Sequence, residues 1–358
     1  MNINETYRYK YVILDAQYFL VRNTSVFYRD PGNVNYRQIV QSFLYSLMKL
    51  MNEKFEFGRL YLCWDMRNSN GLYNKNSLLP GYKEDRVHGN EAWELTELAY
   101  KEGKIDLKVY KRAKDEYHLW CEREKAKKFI IKYFDKLGMT SLALPGYEAD
   151  DYACIFTDII KMSDDKQKSV ITTVDSDWEF LVNDSFDFYH TKRDIVYTYD
   201  DIRSKYTTDI PLYQLKYLEE IFKHSHNNVS NPIKGIKTYQ EVIELYSKGE
   251  MNLIMNLPEE YQLPARNSIK GLDIRRNCIE LYDVCKLSLN SGELAYDNIS
   301  KFISGELFID DSEFRDFKLN INNNKLQDFI RGFNPNLYTS VLRELNDDIP
   351  LVSFDDFF

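Results

Sequence analysis

At 358 residues with a net charge of −9, the chain is long enough to bury one elaborate core or two and too acidic to be a generally basic nucleic-acid binder. No run approaches the roughly 18 consecutive apolar residues of a membrane span, and the opening residues Met1 to Thr6 lack a secretory pattern, so a cytoplasmic location without membrane attachment is expected. Five widely spaced cysteines (Cys63, Cys121, Cys154, Cys278, Cys285) argue against a disulfide framework or a zinc site and predict reduced core thiols.

The first 205 residues alternate strand and helix signals, which predicts an α/β layered core. A strand is predicted at 10–15, where Val12, Ile13 and Leu14 run into Asp15. A helix follows at 35–53, with Val40, Phe43, Leu44, Leu47 and Leu50 at helical spacing. The second strand, 59–65, ends in Asp65. Beyond it lies a long insertion, about 66–137, whose residues 68–76 are a loop by composition and whose residues 91–102 and 115–137 read as helices. Long insertions over a strand-end site often serve as lids or substrate guides. Residues 101–136 hold twelve Lys or Arg against seven Asp or Glu, a local excess of positive charge that suits a phosphate track.

A strand at 139–144 leads through Pro145 and Gly146 into a helix at 148–162, where Ala149, Ala153, Phe156 and Ile160 keep the spacing. Strands at 169–174, 186–190 and 194–199 complete the core. After about residue 205 the pattern turns helical, with segments near 211–223, 238–248, 273–288 and 324–331. The organisation expected is therefore an α/β core over 1–205, a helical region over 206–345, and an acidic aromatic tail over 346–358.

Apolar, β-branched strands buried on both faces belong to parallel sheets, and such sheets bind ligands at the carboxyl ends of their strands. Asp15, Asp65, Asp175 and Asp177 stand at strand ends, while Glu148, Asp150 and Asp151 open the helix after Gly146. Any one of these motifs is an ordinary turn or cap. Four in succession predict an acidic pocket, and so many like charges repel unless a cation neutralises them. All-oxygen ligands suit hard ions, Mg2+ or Mn2+.

In order and content the motifs resemble the flap endonuclease and 5′-3′ exonuclease family, most closely the ribonuclease H branch of T-even phages. Asp15 and Asp65 match its two strand-end aspartates, Glu148-Ala-Asp-Asp151 its helix start, and Asp175-Ser-Asp177 its following strand end. Tyr82-Lys83-Glu-Asp-Arg86 matches the element at the base of the family's helical arch. The resemblance spans roughly residues 8–290. It implies a largely parallel, PIN-like sheet flanked by helices, with a helical arch and a C-terminal helix–hairpin–helix region. It also implies a two-metal 5′-nuclease acting on 5′ flaps and on nicked or RNA-primed duplex DNA in replication or repair, with Lys83 and Arg86 on the scissile phosphate.

The turn at 230–236 fits the family's hairpin, whose Lys234, Gly235 and Lys237 would hold a duplex phosphate. One departure stands out. Where the family carries an aspartate pair for its second metal, this chain has Lys223-His224-Ser-His226-Asn227. His224 and Asn227 are competent but neutral donors, so a weakened second site is expected, with cleavage that survives but needs higher metal or prefers manganese. The arch aromatics Trp93, Tyr100, Tyr110, Tyr117 and Trp120 can stack on bases, although packing among themselves is the commoner outcome. The ending Ser353-Phe-Asp-Asp-Phe-Phe358 resembles the clamp-binding peptides of phage replication proteins, with Phe354, Phe357 and Phe358 as anchors for a sliding clamp. Two competing readings remain: a DNA-junction-binding scaffold subunit of a replisome, which takes the missing aspartates at face value, and a PIN-type ribonuclease, which leaves the long insertion and the hairpin region unexplained.

Overall fold

The structure is a computed structural model and describes residues 7–77, 83, 89–162 and 168–206, with Leu212 and Cys285. The expected helical region at 206–345 and the tail otherwise lie outside the described residues. Strands β1 (Tyr7–Asp15), β2 (Phe55–Cys63), β3 (Met139–Leu142), β4 (Ser169–Thr173), β5 (Phe186–His190) and β6 (Ile195–Tyr197) form one mixed, mostly parallel sheet in the order β3-β2-β1-β4-β5-β6. Helices α1 (Ala16–Thr24), α2 (Tyr36–Glu53), α3 (Asn90–Lys101), α4 (Leu107–Tyr133), α5 (Ala149–Met162) and α6 (Tyr199–Arg203) flank it. The chain divides into two compact units, one built on residues 7–62 and 89–142, the other on 63–83 and 143–206 among the described residues.

In the first unit, Val12, Ile13 and Leu14 of β1 are wholly buried, the state that a continuous β-branched run prefers in a sheet covered on both faces. Helix α2 starts on a capping box. Asn35 Oδ1 accepts the Gln38 N–H at 3.2 Å while Gln38 Oε1 accepts the Asn35 N–H at 2.9 Å. Its Val40, Phe43, Leu44 and Leu47 are buried, and Phe43 meets Phe19 and Phe134 edge-on at 5.3 and 5.9 Å. Each such side chain contributes roughly 1.5–3 kcal/mol on burial.

Several elements depart from the sequence expectation, α1 and α4 most of all. Helix α1 went unread, because its nine residues offer only Phe19 and Leu20 as a buried aliphatic or aromatic pair, too short a run to show a period. It is secured by polar groups instead: Asp15 Oδ1 accepts the Tyr18 N–H at 2.9 Å, and buried Asn23 donates to the Phe19 carbonyl at 2.8 Å and accepts from Ser46. Helix α4 begins at 107 rather than 115 and gives way to a 3-10 turn at Phe134–Leu137. Asp106 accepts the Val109 N–H at 2.8 Å, and this N-cap lets the helix start about three turns before its first buried residue, Leu119.

Helix α3 buries none of its residues; it is joined to α4 by stacked rings. Tyr100 stacks on Tyr110 at 4.2 Å, Trp93 lies 5.5 Å from Tyr110 and stacks on Tyr117 at 5.0 Å, and Tyr117 stacks on Trp120 at 5.8 Å. The aromatics thus pack on one another, at about 0.5–1.5 kcal/mol per pair beyond their buried area. The ladder ends at Gly89, whose φ is +63° and whose missing Cβ would stand 2.3 Å from Trp120 Cζ2. Gly89→Ala is expected to destabilise this hairpin by roughly 1–3 kcal/mol through strain and overpacking. Thermal unfolding should show a lowered Tm, and hydrogen exchange should quicken first over 90–120.

In the second unit, all five residues of β4 are buried. It pairs in parallel with β5, Ser169 opposite Phe186 through Thr173 opposite His190, and β6 runs antiparallel to β5 with Tyr197 opposite Phe188. The strand expected at 194–199 stops at 197 because Thr198 turns to cap α6: its Oγ1 accepts the Asp201 N–H at 3.3 Å and Asp201 accepts the Thr198 N–H at 2.8 Å. Tyr152, Ala153, Ile155, Phe156 and Ile159 set α5 into the core. Cys63, Cys121, Cys154 and Cys285 are free thiols, as expected; Cys278 lies outside the described residues. Among those residues no helix is long and apolar enough to cross a membrane.

Candidate metal centre

The centre is assembled in the second unit by a backbone clasp between the loop after β2 and the turn before α5. Met66 N–H donates to the Tyr147 carbonyl at 2.8 Å, Gly146 N–H to the Met66 carbonyl at 2.7 Å, and Asn74 N–H to the Gly146 carbonyl at 2.9 Å. Gly146 has a φ of +92°, and a Cβ there would lie 2.4 Å from Asn74 Oδ1, so only glycine allows the loops to close this tightly. The clasp sets Asp65 against the first turn of α5, where Asp65 Oδ1 accepts the Ala149 N–H at 2.8 Å and Asp151 Oδ2 accepts the Glu148 N–H at 2.8 Å. Carboxylates at a helix start satisfy its orphan N–H groups and favour its dipole.

Glu148, Asp150 and Asp151 bring one carboxylate oxygen each to within 4.8 Å of one another. Glu148 and Asp151 are buried and Asp150 is half-buried. Beside them the Asp65 carboxyl is pushed up to about 6, first by burial and then by the charges of Glu148 and Asp150, with the Ala149 N–H and Lys83 pulling the other way. Lys83 forms an ion pair with Glu148 from a backbone φ of +54°, a left-handed conformation that costs a lysine roughly 1–2 kcal/mol. Among the described residues, Asp65, Glu148, Asp150 and Asp151 outnumber the nearby cations Lys83 and Arg67. That donor set, all oxygen, largely buried and short of positive charge, fits a hard divalent cation and supplies too little softness for zinc or copper preference.

The remaining expected residues are placed as follows. Asp15 ends β1 in the first unit and caps α1. Asp175 and Asp177 are exposed at the start of a 3-10 helix, Ser176–Leu181, where Asp175 Oδ1 accepts the Asp177 N–H at 2.9 Å; neither belongs to the Glu148–Asp150–Asp151 group. Tyr82, Arg86, His224, Asn227, Lys234, Gly235, Lys237, Phe354, Phe357 and Phe358 lie outside the described residues. The sequence reading missed Tyr73. Its hydroxyl is pushed up to about 12 by burial and by Asp65 and Glu148. A lone aromatic in an asparagine-rich loop was the only signal it offered.

Residues 10–207 match the family described as 5′-3′ exonuclease, N-terminal resolvase-like domain. Among curated proteins, a 5′-3′ exonuclease of Buchnera aphidicola subsp. Acyrthosiphon pisum (strain APS) is 28% identical over 146 residues, 41% of this chain and 49% of that protein. The chain thus spans about half the length of the curated relative it matches. Among solved structures, the flap endonuclease of bacteriophage T5, in a pseudo-enzyme–product complex with DNA and metal ions, aligns with a TM-score of 0.51 at 16% identity, covering 83% of this chain and 98% of that one. The T5 5′-exonuclease with bound zinc ions aligns with a TM-score of 0.49 at 14% identity and the same coverage. The first of these likenesses is one of fold.

Proposed function

Because the chain belongs to the 5′-3′ exonuclease family through its N-terminal resolvase-like domain, we propose that it is a metal-dependent, structure-specific 5′-nuclease that hydrolyses phosphodiesters at 5′ ends, flaps or RNA primers during replication or repair. The observation that carries the reading is the group of Asp65, Glu148, Asp150 and Asp151 at the start of α5 with Lys83 beside it. These carboxylates hold the first Mg2+ or Mn2+; Asp15, Asp175 and Asp177 join the ligand set by their place in the family's motif order. His224 and Asn227 serve a weaker second ion. A divalent ion here supplies charge neutralisation and Lewis acidity at a phosphodiester. The chain's own residues do the rest: Lys83 and Arg86 offer positive charge where the reacting phosphate gains negative charge, Tyr82 contacts the DNA, and Lys234, Gly235 and Lys237 grip duplex backbone. Phe354, Phe357 and Phe358 dock on a sliding clamp.

The direct test is cleavage of a labelled 5′-flap DNA with magnesium or manganese titrated separately. Cutting should depend on the metal, with manganese effective at lower concentration, because neutral His224 and Asn227 hold the second ion less tightly than aspartates. Two magnesium sites of equal, tight affinity would remove the weakened second site from the proposal. Flap binding without cutting in either metal would leave the scaffold reading in its place. Deleting residues 350–358 should abolish clamp binding, and unchanged clamp affinity would remove the tail from the account.

A further inference from the structure

Arg67 and Lys83 stand against one aromatic ring. The Arg67 guanidinium carbon and the Lys83 ammonium nitrogen each lie 5.5 Å from the centroid of Tyr73, inside the ~6 Å range over which a ring face attracts a cation. Two cations gathered at one ring repel each other, and acidic neighbours offset the repulsion. Glu148 pairs with Lys83, and the charges of Asp65 and Glu148 are both felt at the Tyr73 hydroxyl, which also takes a hydrogen bond from Arg67. The two cations have different freedom. The Lys83 side chain is only 15% exposed and is committed to Glu148. Arg67 is exposed, two residues beyond Asp65 in the chain, and its fork of donors reaches the Tyr73 hydroxyl. A planar guanidinium held in this way matches phosphate oxygens in bidentate fashion, which an ammonium does not.

We propose that Arg67 and Tyr73 form a phosphate subsite beside the carboxylates: Tyr73 positions the Lys83 ammonium and the Arg67 guanidinium through its ring, and Arg67 binds the phosphodiester next to the one that Lys83 meets. The inference rests on the nuclease reading. Tyr73 itself touches no reacting atom and is a positioning residue, whereas Arg67 binds substrate directly.

Equilibrium binding of a labelled 5′-flap DNA across a salt series, without divalent metal, reads Arg67 apart from any chemistry. Arg67→Ala should flatten the slope of log affinity against log salt by about 0.7–0.9, the contribution of one phosphate. In steady-state cleavage the same variant should raise KM by about 3- to 30-fold with kcat within about twofold, the signature of lost uniform binding. Arg67→Lys should recover the slope and only part of the KM, because it restores charge without the fork. Tyr73→Leu should lower kcat by about 3- to 30-fold, the range of a desolvated cation–π contact. Tyr73→Phe should recover that turnover while showing part of the KM rise of Arg67→Ala, since the ring stays and the hydroxyl that holds Arg67 is gone. An unchanged salt slope in Arg67→Ala, or turnover as low in Tyr73→Phe as in Tyr73→Leu, would overturn the subsite. A wild-type chain that binds the flap and does not cut it would sink the nuclease reading, and the salt slope would still decide Arg67.

Discussion

Asp150→Asn should reduce flap cleavage on the order of 10³-fold or more in kcat, the equivalent of the several kcal/mol that a bound divalent ion supplies, while DNA affinity stays within a few-fold. The substitution changes one oxygen to nitrogen in a half-buried side chain in the first turn of α5, so the fold has little to lose. Asp65 and Asp151 are poorer choices for this experiment because each also holds a backbone N–H of the helix start. Asp175→Asn should abolish cutting equally if its motif place assigns it correctly, and magnesium-dependent cutting retained in either variant would refute the ligand assignment. Gel or fluorescence cleavage under single-turnover conditions separates this loss from slow product release.

Asp65 supplies an independent measure of the same electrostatics. Burial and the charges of Glu148 and Asp150 push its carboxyl up to about 6 from the 3.8 of an ordinary aspartate, so near pH 5 the folded state holds a proton that the unfolded chain has released. Between about pH 4 and 6 the unfolded chain therefore binds fewer protons at this position, and Asp65's contribution to the stability of the metal-free protein falls as pH rises, by roughly 3 kcal/mol once it is ionised above pH 6. Asp65→Asn removes that ionisation and keeps Oδ1 for the Ala149 N–H. In chelator, the variant should melt with the wild type near pH 4 and above it at pH 7. Added magnesium or manganese should raise the wild-type Tm and leave the variant's nearly unmoved. A variant that melts lower at pH 7 in chelator would show that Asp65 is not held in a repulsive carboxylate group.

The strands of the sheet were legible in the sequence, and for a physical reason. Runs such as Val12 to Leu14 and Ser169 to Thr173 are buried on both faces, so their strand signal depends on no partner and their carboxyl ends could be located to within a residue. Polar residues at those ends then pointed to chemistry. What stayed hidden depends on contacts that periodicity does not encode. Helix α1 is secured by Asp15, Asn23 and Ser46 rather than by an apolar stripe. The extra turns of α4 follow from the cap at Asp106. The closeness of Asp65 to Glu148 comes from the clasp at Met66 and Gly146, and Tyr73 gains meaning only from Arg67 and Lys83, which arrive from either side of it in the chain. The aromatic ladder from Tyr100 to Trp120 was legible as composition, but its order along the two helices was not.

Lys83 carries the second large effect. Lys83→Ala should lower kcat on the order of 10²- to 10³-fold, the usual loss when one donor to a developing oxyanion is removed, with a smaller change in KM. The strain at this position makes the prediction sharper than for a surface lysine. A φ of +54° is unfavourable for alanine as much as for lysine, whereas glycine adopts it freely. Lys83→Gly should therefore lose the same catalysis as Lys83→Ala yet be more stable than it by about 1 kcal/mol, measured as a difference in Tm or in the denaturation midpoint. Such a pair of results would mean that the backbone is held in a costly conformation for the sake of the ammonium. If Lys83→Ala turned over flap DNA at the wild-type rate, the pair with Glu148 would be only a structural neutraliser of the acidic helix start, and the charge at the scissile phosphate would have to come from Arg86 or Arg67.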